Sequence, residues 1–144
     1  MEPRIDHIQI TVGDMAVAVP FYDQLMPLLG FSPEKRVSAV IEDHDFHVVE
    51  YSHPRLAFAV TSPRQALRAE PVHRRRPGAL HHLAFRAGSR ADVDRLHREI
   101  AAIGARIVAA PREYPEYVPA GYYAFFFKDP DGVKYEIVHH GGCD

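Results

Sequence analysis

The sequence has no tryptophan, and Cys143 is the only cysteine among its 144 residues. A single cysteine excludes a disulfide within the chain, and a reducing compartment, the cytoplasm, is the expected location. Long apolar runs are also missing, because no segment approaches the roughly 18 apolar residues of a membrane-spanning helix. The N-terminal residues lead directly into a strand pattern, without the apolar core of a signal peptide. We therefore expect a protein that does not bind a membrane.

An excess of charge of one sign is absent as well. The formal net charge is −2, and the sequence pI is about 6.5. This balance gives no general attraction to nucleic acid, so we expect no nucleic-acid partner. Hydrophobic residues make up 47% of the chain and charged residues 25%, which is ordinary for a globular protein of one domain.

The order of predicted elements occurs twice along the chain. Alternating polar and apolar residues predict strands, and apolar residues at helical spacing predict one helix after the first strand of each half. The result is a β-α-β-β-β pattern over residues 4–61 (module one) and again over residues 79–140 (module two). Residues 62–78, which are rich in arginine, are predicted to be a linker. We predict an α+β fold in which the two βαβββ modules form one domain over residues 4–140, with curled mixed sheets around a cavity.

The boundaries of the elements follow from the same pattern. In module one we expect strands at 5–12, 31–41, 46–51 and 56–61. In module two we expect strands at 79–86, 106–109, 122–127 and 134–139, with a Pro- and Tyr-rich loop over 111–121 that is long enough to act as a lid.

The two predicted helices have different start and stop signals. The first should bury Val17, Phe21, Leu25, Leu28 and Leu29 and end at Gly30. Its two prolines should matter: Pro20 is expected in the first turn, and Pro27 is expected to kink or shorten the helix. The second should begin at Ser89, whose side chain can accept a hydrogen bond from the backbone three residues later, and should bury Val93, Leu96, Ile100 and Ile103.

The final strand carries the most informative polar residue. Asp129-Pro130-Asp131-Gly132 predicts a tight turn into this strand. Glu136 lies among apolar neighbours in the strand, and an unpaired buried carboxylate is very costly. The sequence therefore predicts a partner for Glu136.

Two of the ten histidines occupy equivalent places in the repeat. His7 lies in the first strand of module one, and His82 lies in the first strand of module two. Strand alternation places both, with Glu136, away from the helix-packing side. Two imidazoles and one carboxylate suit a divalent cation with open coordination positions, and Zn, Ni, Mn, Co and Fe all remain candidates. We predict one divalent metal ion bound by His7, His82 and Glu136.

Together these motifs resemble the vicinal oxygen chelate superfamily, which includes glyoxalases, bleomycin-resistance proteins and extradiol dioxygenases. The resemblance covers roughly residues 4–140. The motifs that carry it are Asp6-His7-Ile8-Gln9-Ile10-Thr11-Val12, Phe21-Tyr22 ahead of Leu29-Gly30-Phe31, His81-His82-Leu83-Ala84-Phe85, and Asp129-Pro130-Asp131-Gly132 followed by Glu136. The resemblance implies paired βαβββ modules around a metal, and it selects His82 over His81 as the ligand.

The chain departs from two members of that superfamily. Glyoxalase I has a further glutamate ligand in the last strand of the first module, where residues 55–61 of this chain contain no carboxylate. Fosfomycin-type thiol transferases have an arginine after the final glutamate, and this chain has none there. The resemblance thus implies an enzyme of lyase, isomerase or dioxygenase type that acts on a small molecule. The alternative is a metal-free protein that binds a drug or metabolite, as the bleomycin-resistance branch does.

Further residues are candidates for contact with a small-molecule substrate. Gln9 and Thr11 share the strand face of His7, and Arg86 shares the face of His82, where it could hold an anionic group. For acid–base catalysis we expect Glu136 to act with Tyr123. Tyr122 and His139 are the alternatives to Tyr123. Tyr122 is also a candidate for substrate binding. In this superfamily the modules pair within one chain or across two, and a homodimer is expected.

Overall fold

The structure, a computed structural model, describes residues 3–141; Cys143 therefore lies outside the described residues. It divides into two compact units, with the boundary between Pro71 and Val72. The strands and helix of the first unit are β1 (His7–Thr11), α1 (Met15–Leu28), β2 (Ser32–Ile41), β3 (Phe46–His53) and β4 (Leu56–Thr61). Those of the second unit are β5 (Leu83–Arg86), α2 (Arg90–Ala102), β6 (Arg106–Glu113), β7 (Tyr123–Lys128) and β8 (Lys134–His139).

Each unit contains one four-stranded mixed sheet. The strand order is β1-β4-β3-β2 in the first unit and β5-β8-β7-β6 in the second. The first and last strands of each unit are parallel neighbours, and the other neighbours are antiparallel. The predicted α+β class and the βαβββ repeat are confirmed. That the two units form one domain over residues 4–140 stays a prediction.

Helix α1 differs from the sequence expectation in three ways. Pro20 lies beyond its first turn, Val17 is 55% exposed, and Leu28 and Leu29 are only partly buried. The helix ends at Leu28, one residue after Pro27. Phe21 and Leu25 are buried as predicted, and the other buried side chains are those of Ala18, Tyr22 and Met26. Packing of this apolar stripe offsets the hydrogen bonds that the prolines cannot make, since tertiary contacts supply most helix stability.

Helix α2 follows its sequence signals more closely. Ser89 is the N-cap, and its Oγ accepts a hydrogen bond from the backbone N–H of Asp92 at 3.1 Å. Val93, Leu96 and Ile100 are buried as predicted. The N-cap and the apolar spacing therefore suffice to predict where this helix begins and which side it buries.

Several boundaries in the second unit need correction. Strand β5 begins at Leu83, so His82 precedes the strand rather than lying inside it. Strand β6 extends to Glu113, well past the predicted end at residue 109, and shortens the following loop. Strand β7 begins at Tyr123, one residue later than expected. The pairing of β5 with β8 begins at Leu83, which lies opposite Tyr135.

The turn between β7 and β8 forms as predicted. Gly132 has a φ of +89°, and its N–H donates to the carbonyl of Asp129 at 3.1 Å. The Asp129 side chain also accepts from the N–H of Val133 at 2.8 Å. Because the turn fixes the register of β8, it also fixes which side chains of that strand face the helix.

The helix side of the second sheet is an aromatic core. Phe127 is fully buried, and its ring stacks on Phe125 at 5.8 Å and on Tyr135 at 5.3 Å between ring centroids. Ile137 is buried on the same strand face as Tyr135. Since side chains alternate along a strand, the residues between these, including Glu136, lie on the other face of the sheet.

No helix between residues 3 and 141 combines the length and apolar character that a membrane span requires.

Candidate functional site

The site begins with a buried carboxylate in the middle of a sheet. Glu136 is in β8, between β5 and β7, opposite Ala84 and Phe126. It is 2% exposed. Its main-chain groups belong to the sheet, so the fold places the carboxylate in a fixed position on the face opposite helix α2.

Both oxygens of Glu136 have a partner. The hydroxyl of Tyr122 donates to Oε1 at 2.5 Å, and Nε2 of His82 lies 3.3 Å from Oε2. The His82 side chain is 35% exposed, so it connects the buried carboxylate to solvent. Burial, followed by the hydrogen bond to Glu136, raises the pKa of Tyr122 above its ordinary value, and the phenol therefore stays protonated at neutral pH.

The pair of His82 and Glu136 has the chemistry of a metal-binding site. Imidazole nitrogen and carboxylate oxygen each bind divalent transition metals at about 2.0–2.2 Å, so two such ligand atoms on one cation lie about 3 Å apart. The observed 3.3 Å between Nε2 and Oε2 fits that spacing. Among residues 3–141 the structure brings together no group of three or more His, Cys, Asp or Glu side chains that could hold a metal by itself.

The remaining predicted ligand lies in the first unit. His7 is the first residue of β1, and it shares one exposed strand face with Gln9 and Thr11, as the alternation of the sequence predicts. The Oγ1 atoms of Thr11 and Thr61 are 3.5 Å apart. The structure therefore places the three residues of module one on a common face, and it places His82, Glu136 and Tyr122 together in module two.

An aromatic and apolar cluster lies on the same sheet face as Glu136. Tyr114, Ala124, Phe126 and Val138 are buried together, and Tyr122 packs against them. Tyr114 belongs to the segment that we expected to be a lid over residues 111–121, but its ring is only 4% exposed and packs edge-on to Phe126 at 5.6 Å. This part of the segment is a wall of the site, because its side chain is anchored in the sheet surface.

Tyr123, our choice for acid–base catalysis, lies on the opposite face of β7. Its hydroxyl donates to Oδ1 of Asp94 on helix α2 at 2.8 Å, and the Arg90 guanidinium lies 5.1 Å from its ring centroid. The tyrosine that the structure joins to Glu136 is therefore Tyr122. Strand β7 begins one residue later than we predicted. Tyr122 lies just before it, and its side chain is on the same side of the sheet as that of Phe126.

Two other candidates are the last residues of their strands, Arg86 in β5 and His139 in β8. Arg86 donates to the backbone carbonyl of His140 at 3.3 Å, and Nδ1 of His139 is 3.2 Å from the carbonyl of Ala87. Both contacts link the end of β5 to the end of β8, and neither of these two hydrogen bonds involves Glu136.

Sequence reasoning missed Lys134, which precedes Glu136 by two residues and shares its strand face. Its Nζ lies 4.0 Å from the ring centroid of Phe126. Burial, reinforced by the positive charge of Arg74, lowers the pKa of Lys134. Strand alternation alone could have placed this residue beside the carboxylate.

Removal of the Tyr122 hydroxyl tests how Glu136 is held. In a Tyr122→Phe variant Glu136 Oε1 loses its donor while remaining buried, so we expect the free energy of unfolding to fall by about 1–3 kcal/mol. Tyr123→Phe is the matched control, because it removes a hydroxyl bond on the other face and should cost less than about 1 kcal/mol. Urea denaturation of both variants gives the comparison, and equal losses would contradict the special position of Tyr122.

Comparison with known proteins agrees with this fold. The family model of the Glyoxalase/Bleomycin resistance protein/Dioxygenase superfamily matches residues 4–137. The chain belongs to this superfamily, as the sequence motifs predicted.

Individual relatives cover nearly the whole chain. The uncharacterized protein YqjT of Bacillus subtilis (strain 168) is 29% identical over 132 residues, which are 92% of this chain and 95% of YqjT. A solved structure from Bacillus halodurans is 26% identical with a TM-score of 0.74, covering 96% of this chain and 97% of that chain. A glyoxylase/bleomycin resistance protein/dioxygenase domain from Frankia sp. EAN1pec, 21% identical, has the same fold with a TM-score of 0.76, covering 96% and 98% of the two chains.

Proposed function

We propose that the protein is a small metal-dependent enzyme in which His7, His82 and Glu136 hold one divalent cation. The reaction class is that of a lyase, an isomerase or a dioxygenase acting on a small molecule. The observation that carries the proposal is the buried Glu136 carboxylate, whose Oε2 lies 3.3 Å from Nε2 of the half-exposed His82. A charge in this position costs stability unless a cation compensates it, and a metal ion is the cation that imidazole and carboxylate bind together.

Each residue of the site has a role that its contacts support. A bound divalent metal would polarise an oxygen atom of the substrate, such as that of a carbonyl, an enolate or a catecholate. Tyr122 holds the Glu136 carboxylate in one orientation and retains its own proton at Oη, so it orients the site and does not act as a base at neutral pH. Gln9, Thr11 and Arg86 remain proposed contacts for substrate polar groups.

The apolar surroundings of Glu136 favour a substrate with an apolar or aromatic part. Tyr114, Phe126 and Val138 form a buried cluster on the sheet face of the Glu136 carboxylate, which is itself buried. Exclusion of water strengthens electrostatic interactions at the site. A cytoplasmic homodimer is part of this proposal, in keeping with the single cysteine and with the pairing of modules that the superfamily shows.

A second function is supported by one observation. Strand registers make Ala59 the counterpart of Glu136: Ala59 pairs with Gln9, two residues after His7, as Glu136 pairs with Ala84, two residues after His82. The first module thus lacks the extra carboxylate of glyoxalase I. Fewer ligands together with an aromatic wall would also suit a metal-free protein that binds a drug or metabolite.

Elemental analysis distinguishes the two functions. For protein purified without chelator or affinity-tag metal, we expect about one divalent ion per chain, and less than about a tenth of that in the His7→Ala and His82→Ala variants, since a three-ligand site tolerates no loss. His44→Ala, which removes an exposed histidine from a surface turn, is the control and should retain the ion. Iron would indicate oxygen chemistry, whereas Ni, Zn, Co or Mn would indicate lyase or isomerase chemistry.

The contrary results are equally clear. Unchanged metal content in His82→Ala would refute the ligand assignment, and no metal after reconstitution would favour the binding protein. A mixture of His7→Ala and Glu136→Ala chains tests the source of His7, because recovery of metal binding requires that ligands come from two chains.

A further inference from the structure

In both candidate metal-binding histidines, the side chain of the preceding residue contacts the ring at Nδ1. Nδ1 of His7 lies 2.7 Å from Oδ1 of Asp6, and Nδ1 of His82 lies 2.7 Å from Nδ1 of His81. The two contacts occupy equivalent places in the repeat. In each, the ring nitrogen that is engaged is Nδ1, which leaves Nε2 as the nitrogen for other contacts.

The Asp6 contact determines where the proton of a neutral His7 ring lies. An ionised carboxylate only accepts hydrogen bonds, so the proton is on Nδ1 and the lone pair is on Nε2. A histidine binds a metal through the nitrogen that carries no proton. Asp6 therefore selects Nε2 of His7 as the ligand atom.

The His81 contact has the same consequence in the second unit. Nε2 of His82 is the atom directed at Glu136, 3.3 Å from Oε2. When Nε2 binds a cation, the ring proton of His82 is on Nδ1, and the acceptor within reach is Nδ1 of His81. His81 is thus a neutral acceptor where Asp6 is an anionic one.

We propose that Asp6 and His81 are positioning residues that hold Nδ1 of His7 and His82 and so make Nε2 the ligand atom of each. This inference rests on the proposed function for its purpose, although the two hydrogen bonds exist independently of any metal. It assigns a role to the residues before the two histidines that strand alternation could not supply, since both lie outside the strands. Metal-binding histidines are commonly held in this way, and loss of the partner weakens metal binding about 10–100-fold.

Two readouts test the proposal. The first is the tautomer of His7 in metal-free protein, measured by long-range proton–nitrogen correlation NMR on protein with 15N-labelled histidine. We expect the proton on Nδ1 in the unmodified protein and in Asp6→Asn, whose side-chain carbonyl still accepts. In Asp6→Ala we expect the proton to move largely to Nε2.

The second readout is zinc affinity, measured by competition with a chelating dye. Asp6→Ala and His81→Ala should each bind zinc about 10–100-fold more weakly. His81→Asn should recover most of the loss, because the asparagine oxygen occupies nearly the place of the histidine Nδ1. Asp43→Ala removes an exposed acid from a surface turn and is the control for charge.

The outcomes separate this inference from the proposed function. A His7 proton on Nε2 in the unmodified protein, or full zinc affinity in both alanine variants, overturns the positioning role while leaving the metal site intact. An unmodified protein that binds no zinc overturns the metal site and the ligand role together, and the tautomer measurement then still decides whether Asp6 holds His7.

Discussion

Replacement of Glu136 by leucine is expected to abolish metal binding while leaving the metal-free protein at least as stable as before. We expect the free energy of unfolding without metal to be unchanged or to rise by about 1–3 kcal/mol, because a carboxylate buried without a metal ion is itself costly. Metal affinity should fall by more than about 100-fold, since loss of a direct ligand weakens binding more than loss of a residue that only holds a ligand in place.

The surroundings of Glu136 explain why its removal should not be costly. Leucine has a similar volume and would contact Phe126 and Val138, which already form an apolar cluster. The groups that lose a partner are His82 and Tyr122, and both are half-exposed, so water can replace the carboxylate. A carboxylate that the fold would be more stable without is explained by binding, not by structure.

Denaturation with and without metal gives the measurement. In the unmodified protein, saturating zinc should raise the unfolding midpoint, because a ligand bound only to the native state stabilises it. In Glu136→Leu the midpoint should be the same with and without zinc. Glu99→Leu on helix α2, which removes a surface partner of Arg95, is the control: it should retain the zinc effect and change stability by no more than about 0.5 kcal/mol. Marked destabilisation of Glu136→Leu without metal would identify Glu136 as a structural residue.

Replacement of Phe127 by alanine is expected to have the largest effect on stability. Phe127 is fully buried and stacks on Phe125 and Tyr135, so truncation leaves a cavity between aromatic rings. Phenylalanine-to-alanine changes in cores cost about 3–5 kcal/mol. This is a large part of the roughly 5–15 kcal/mol by which natural domains are stable.

The same variant separates the fold from the site. The Phe127 side chain is on the helix side of β7, whereas Glu136 is on the other side of the sheet, so the native fraction of Phe127→Ala should bind zinc with nearly unchanged affinity. Val108→Ala is the control, because Val108 is 50% exposed and its truncation should cost no more than about 0.5 kcal/mol. Loss of zinc affinity in protein that remains folded would show that the core and the site are not separable in this way.

Most of the fold could be predicted from local signals. The turn at Asp129–Gly132 and the N-cap at Ser89 act through neighbouring residues, so the sequence contains what is needed to place them. Helix α1 was less predictable, because its course through Pro20 and Pro27 depends on burial of side chains against the sheet. The end of β6 was missed for a similar reason: its last residue, Glu113, pairs with Tyr123 across the hairpin.

The candidate site was predictable only to the level of strand faces. Alternation placed Glu136 opposite the helix and could have placed Lys134 beside it. It could not choose between Tyr122 and Tyr123, because that choice depends on the register of β7 against β8, in which Phe126 pairs with Glu136. The contacts of Asp6 and His81 with the following histidines depend on backbone conformation outside the strands, for which the sequence has no periodic signal.

The matching strand registers of the two units bear on how such a site can change over generations. Because the two units have the same strand order and register, a side chain can change in one unit while the backbone arrangement of both stays the same. Ala59 and Glu136 occupy equivalent register positions in the two sheets. A glutamate at position 59 would therefore give the first sheet the carboxylate that the second sheet already has, at a backbone position that the repeat has already built.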